Sequence, residues 1–315
     1  MIRTGAPRLA LMMAMAWLPD PLMAQSVCAP LVERLEAAAR SGQLDRLSDT
    51  EAAVFGEPTC TGAQRARAKR IAALAYVQAA NAAPTEEERL RLLETGRRFA
   101  EPWQLMASIG DIRRERKDHA NASVAYQAAL GDIADPGAVP SPPPPEVVTR
   151  FVRLAGQERA VAASFVRGDR LITRSVRNII IDAAPVPIQF EYNSEQMTPL
   201  GREYADDLWR LLDAQQRPRI TLIGHTDQRG SDTYNLELSR RRAEAIRKLL
   251  IEKGYPAANV TAQGRGEGEP LCIEGLAQYS QEQVWQMLRR VEVRFEGGPA
   301  PTAVAGSTCQ TPPKG

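Results

Sequence analysis

Histidine is nearly missing from this 315-residue chain, which holds only His119 and His225. Two imidazoles cannot build a His-rich zinc site, and His225 with Asp227 has no nucleophile close in sequence to activate. Aromatic residues make up 5% of the chain, too few for a platform on which bases or sugars would stack. The formal net charge of +2 supplies no basic field for nucleic acid. Metals, cofactors and catalysis are therefore not expected.

Long apolar runs are also scarce. Leu9 to Leu18 is the best, a ten-residue stretch behind Arg3 and Arg8 and ahead of Leu22-Met23-Ala24. A bilayer needs about 20 apolar residues, so residues 1–24 read as a cleavable export signal rather than a span. No transmembrane segment is expected downstream. Export to an oxidising compartment makes disulfides the natural reading of the four cysteines, whose spacing forms no close metal-ligand pair. Of the three possible pairings, proximity in sequence suggests Cys28 with Cys60 and Cys272 with Cys309.

What is abundant is alanine, arginine and glutamate at helical spacing from residue 26 to about 135. In "PWQLMASIGDIRRERKDHANASVAYQAALGDIADP" two helices meet at a polar turn, Arg116 to Asp118, with Ile109, Gly110, Ala122, Tyr126 and Ala129 at spacings resembling a tetratricopeptide repeat. A plain all-α helical-hairpin bundle fits equally. "DPGAVPSPPPPEVV" then reads as an extended spacer of about 3.1 Å per residue and a boundary, with linker, helix and strand elements filling 136–185. From 186 to 297 the order becomes strand ("IQFEY"), helix capped by Thr198, buried strand ("RITLIGH"), helix capped near Ser231 or Asp232, and two strands ("NVTAQGRG", "RRVEVRFEG"). That is an α+β fold, a βαβαββ two-layer sandwich with helices on one face, followed by a tail at 298–315.

Within "GHTDQRGSDTYNLELSRRRAEAI" three arginines stand in a row. At about 100° per residue from Asn235, Arg240 and Arg241 fall near ~140° and ~240° among charged neighbours, whereas Arg242 falls near ~340° in the stripe of Leu238, Ala245, Ile246, Leu249 and Leu250. Arg242 faces inward, and an unpaired buried guanidinium costs several kcal/mol, so an anion must meet it. Asp227, at the end of the buried strand, is the nearest candidate. The two either neutralise each other or receive a ligand together; Asn235, Ser239, Thr226 and His225 offer more polar capacity than one ion pair uses.

"GHTDQRGSDTYNLELSRRRAEAIRKLL", with "GRGEGEPL" and "RRVEVRF", resembles the C-terminal domain of outer-membrane protein A, shared with peptidoglycan-associated lipoprotein and the flagellar stator protein. The resemblance covers about residues 186–297. It implies that Asp227 and Arg242 hold the free end of diaminopimelate, the cross-linking residue of peptidoglycan, with Asn235 matching the family's Asn and Tyr192 and Asn193 its polar turn. A zwitterion of that kind needs one acid and one forked cation, and these residues supply one each. Leu288 departs from the Asn usual before "RRVE". The implied protein is a non-enzymatic periplasmic wall binder of a Gram-negative envelope, with outer-membrane association left open. The alternative is an adaptor that recruits a protein partner through its helical half.

Overall fold

Apolar residues recurring three and four apart fold the first half into helices. The computed structural model describes residues 21–162, 175–176, 179–180, 183–186, 188–191, 193–296 and 309–313. The first twenty residues of the expected leader, and Tyr192, lie outside them. The chain divides into two compact units, Met1–Ile71 and Ala72–Gly315. In the first, α1 (Pro21–Arg40) and α2 (Leu44–Gly56) bury Leu35, Leu47 and Val54, and Cys28 is bonded to Cys60 across 32 positions.

The second unit begins within α3 (Gly62–Asn81) and continues through α4 (Glu86–Arg97), α5 (Trp103–Glu115), α6 (His119–Ala134) and α7 (Pro145–Val161). Ile109, Ala122, Tyr126 and Ala129 are fully buried between α5 and α6. Gly110 admits the Tyr126 ring, since a Cβ there would stand 2.8 Å from Cε1. The proline-rich stretch does not act as an extended spacer. α6 and α7 pack against one another across it, with Val139 and Pro143 buried, so the prolines turn the chain between packed helices. Burial of the apolar face of α7 (Val148, Phe151, Leu154, Ala155) in the same core outweighs the extended preference of the prolines.

After α7 come β1 (Ser175–Val176) and β2 (Ile179–Ile180), an antiparallel pair, and β3 (Ala183–Val186). α8 (Pro199–Ala214), β4 (Ile220–Gly224), α9 (Asp232–Glu252) and β5 (Val260–Gly264) follow, then β6 (Ile273–Glu274), α10 (Gln281–Leu288), β7 (Val291–Phe295) and β8 (Cys309–Gln310). The main sheet runs β3-β7-β4-β5, with β4 parallel to β5 and β7 antiparallel to both β3 and β4. α8 and α9 cover it through Tyr204, Leu208, Leu212, Ile246 and Leu250. The α+β architecture matches the expectation, but the first strand is 183–186 rather than "IQFEY". Residues 188–191 make only a bridge between Phe190 and Met197 because the Gln189 carbonyl accepts from Thr198 and turns the chain into α8.

The loop between β5 and β7 supplies one strand of a two-stranded ladder that the sequence does not announce, and the tail after β7 supplies the other. β6 pairs with β8, setting Glu274 opposite residue 309. Cys272 is disulfide-bonded, and the side chain of its expected partner, Cys309, lies outside the described residues.

β4 and α9 meet at backbone distance. A Cβ on Gly224 would stand 2.0 Å from the Ser239 carbonyl oxygen and 2.8 Å from its carbon, so neither side can yield by rotating a side chain. Gly224→Ala should lower unfolding stability by about 3 kcal/mol or more, seen as a lower urea midpoint at unchanged slope. A midpoint equal to wild type would show that the helix is not clamped to the strand.

Candidate functional site

The backbone ladder runs past the end of β4. His225 N–H donates to the Arg290 carbonyl at 2.9 Å and Thr226 N–H to that of Gly266 at 2.9 Å. Asp227 therefore leaves a fixed strand end, 5% exposed. Its Oδ1 accepts from the backbone N–H of Arg229 (3.0 Å) and from Arg229 Nε (3.1 Å); Oδ2 accepts from Arg229 Nη2 (2.8 Å) and Arg289 Nη1 (2.7 Å). Arg289 also donates to Glu282 of α10 at 2.9 Å, and the Arg229 guanidinium lies 4.2 Å over the Trp285 ring. Burial pushes the Asp227 carboxyl up, but the hydrogen bonds from the two arginines outweigh it and hold it below the usual carboxylate range.

Arg242 is inward, as its helical phase requires, and 3% exposed. Its Nε donates to the Ser194 carbonyl at 3.0 Å, and its guanidinium stacks 5.1 Å over Phe190. Among the described residues no carboxylate oxygen lies within 4 Å of it. The expected Asp227–Arg242 contact does not form, because Arg229, two residues away, and Arg289, at the root of β7, already fill the acid. Burial, with the charge of Arg289 added to it, pulls the Arg242 pKa down to about 10. A cation whose charged form is penalised in this way is stabilised by any anion that can reach it.

One can reach it. A cavity of about 310 Å³ opens over Asp227 and Arg242, and Asn193, Thr226 and Asn235 line it with them. Asn235 donates to Glu267 Oε2 at 2.9 Å, Asn193 holds a left-handed backbone (φ 56°) and accepts from the Tyr234 hydroxyl, and Thr226 Oγ1 is buried without a hydrogen-bond partner. Ser239 is the exception. Fully buried, its hydroxyl donates to the Leu236 carbonyl (2.7 Å) and accepts from Gly266 N–H (2.9 Å), pinning the turn after β5 onto α9 and leaving nothing for a ligand. His225 also stays out of the lining: both ring nitrogens are buried without hydrogen bonds, and Nε2 stands 3.6 Å from Glu292 Oε1.

Arg229, Arg289 and Trp285 escape the sequence reading. "RRVEVRF" looks like a strand with a charged entry, and only the fold brings its first arginine beside a residue 62 positions earlier. The α10 segment that carries Glu282 and Trp285 is itself held by α7. Glu274, 6% exposed, accepts from Arg150 (Nε 2.8 Å) and Arg153 (3.3 Å), while its backbone exchanges hydrogen bonds with Gln157. Ala160 and Val161 pack on Ile273, Tyr279, Val284, Met287 and Leu288.

Residues 189–282 match the model of the OmpA family. That segment is an OmpA family domain. Outer membrane protein A of Shimwellia blattae is 37% identical over 87 residues, 27% of this chain and 36% of that one. The same protein of Klebsiella pneumoniae is 31% identical over 117 residues, 35% and 34% of the two chains. The chain thus spans about a third of the length of the curated relatives it matches. Among solved structures, the peptidoglycan-associated lipoprotein of Burkholderia pseudomallei aligns over 35% of this chain and 88% of its own, at 26% identity and a TM-score of 0.30. The cell wall anchor of the type VI secretion system of Pseudomonas aeruginosa aligns over 36% and 78%, at 24% identity and a TM-score of 0.29.

In the OmpA domain, and across the described residues as a whole, no group of three or more His, Cys, Asp and Glu is placed to hold a metal, and no helix is long and apolar enough to cross a membrane. Behind the site, burial pushes the His225 pKa down from 6.5. Glu292 is held below its usual 4.5: burial raises it, but the Arg290 charge prevails. The unfolded chain takes up a proton at His225 below about pH 6.5 that the folded chain refuses, so stability present above that pH is lost on acidification. The melting temperature should fall between about pH 7 and 5.5, and His225→Asn should flatten that limb, leaving the later loss from Glu292 below about pH 4.5. A wild-type melting temperature constant from pH 7 to 5.5 would contradict the burial of a neutral His225.

Proposed function

We propose that the OmpA domain binds peptidoglycan non-covalently through the diaminopimelate of its stem peptide, and that the chain, exported to the periplasm, anchors itself or a partner to the cell wall without catalysing a reaction. One observation carries this reading: Arg242 is 3% exposed, has no carboxylate within 4 Å among the described residues, and lines a cavity with Asp227. The end of diaminopimelate bears an ammonium and a carboxylate on one carbon. Its carboxylate gives Arg242 the anion that the fold withholds, and Asp227 is the acid on the same cavity wall. The match of residues 189–282 to the OmpA family supports the wall-binding part of this reading. The helices before the OmpA domain, of which α7 holds Glu274 of β6 and packs against α10, are the part we assign to a protein partner.

Full-length protein lacking the leader should sediment with purified diaminopimelate-type sacculi. Asp227→Ala and Arg242→Ala should weaken that binding at least about tenfold, the loss of one charge-assisted contact, while circular dichroism stays unchanged. Sacculi with lysine at the third stem position lack the terminal carboxylate and should be bound about as weakly as by Arg242→Ala. Equal sedimentation of wild type and both variants would overturn the reading.

A further inference from the structure

Asp227 has no vacancy for an ammonium. It accepts four hydrogen bonds, three from Arg229 and one from Arg289, as many as a carboxylate has lone-pair sites. A ligand cation can reach the acid only by displacing a donor already there. The two arginines differ in exposure and in setting. Arg289 is 25% exposed in its side chain and tethered a second time by Glu282 at 2.9 Å. Arg229 is 40% exposed, sits on the loop after β4, and already stacks over Trp285, which offers its guanidinium a resting place once it leaves the acid. Its backbone N–H, at 3.0 Å from Oδ1, would continue to orient the carboxylate.

We propose that the Arg229 guanidinium is an internal stand-in for the ligand's ammonium: it neutralises Asp227 in the empty site and, when an ammonium-bearing ligand enters, gives up the acid and keeps only its stack on Trp285. Arg229 thereby sets specificity. A ligand with a carboxylate alone occupies Arg242 and leaves Arg229 in place; a ligand with both charges gains the acid but must replace a bidentate pair to do so. The device completes the donor set of a buried carboxylate that Arg289 alone would leave partly filled, and weakens binding by the strength of the contact it surrenders. This inference rests on the function proposed above.

The test is calorimetric titration of the full-length chain with two probes, meso-diaminopimelate and pimelate, the latter lacking both amino groups. Arg229→Ala, and Arg229→Gln as a second uncharged replacement, should tighten meso-diaminopimelate by about tenfold and leave pimelate unchanged or weaker, since the exposed Asp227 charge then repels it. Affinity for meso-diaminopimelate that stays equal or falls in both variants, with wild type still binding, overturns the stand-in role and leaves the proposed function intact. Absence of meso-diaminopimelate binding in wild type and in both variants overturns the two together.

Discussion

A guanidinium buried with no carboxylate in reach among the described residues is the constraint around which the OmpA domain is organised. Arg242 has one backbone carbonyl, one aromatic face and a cavity. Its neighbour of opposite sign is committed to two other arginines, so among the described residues this buried cation meets no carboxylate. Such a residue weakens the empty fold and rewards an anion, and it keeps its place only because the surrounding structure over-determines its position.

That surrounding structure is stiff in the places that matter. α9 carries Arg242 and is pressed onto β4 where Gly224 lets the two backbones touch, while Ser239 ties the turn after β5 to the same helix. β4 ends in a ladder that continues through His225 and Thr226, which fixes the approach of Asp227. The remaining wall comes from α10 and the root of β7. Here the helical half enters the site's architecture, because α7 grips Glu274 and packs under α10. The end of α7, Ala160 and Val161, shares a core with the α10 segment that carries Glu282 and Trp285.

Local patterns in the sequence carried much of this. The 3.6-residue period separates Arg242 from Arg240 and Arg241, and those two are indeed paired on the surface with Glu237. Caps at Thr198 and Ser231 and the stop at Gly254 mark the helices because each satisfies a local backbone need. Long-range geometry was not legible. A helical wheel places Ser239 beside Arg242 but cannot say that the turn after β5 covers it. The acid's true partners depend on how β7 and α10 return to the strand end, which no periodicity encodes. The proline run reads as an extended spacer because its backbone preference is local, whereas the packing of α6 on α7 is not. The likeness to outer-membrane protein A marked the domain and pointed to Asp227 and Arg242, and said nothing of Arg229 standing on the acid.

The direct test is to remove the charge while keeping the shape. Arg242→Met in the full-length chain should melt at or above the wild-type temperature without ligand, since an unsatisfied buried cation is gone, and should lose the rise in melting temperature that meso-diaminopimelate gives the wild type. A variant that melts many degrees lower, yet is stabilised by meso-diaminopimelate as much as wild type, would show that Arg242 is a satisfied structural residue and would contradict the account.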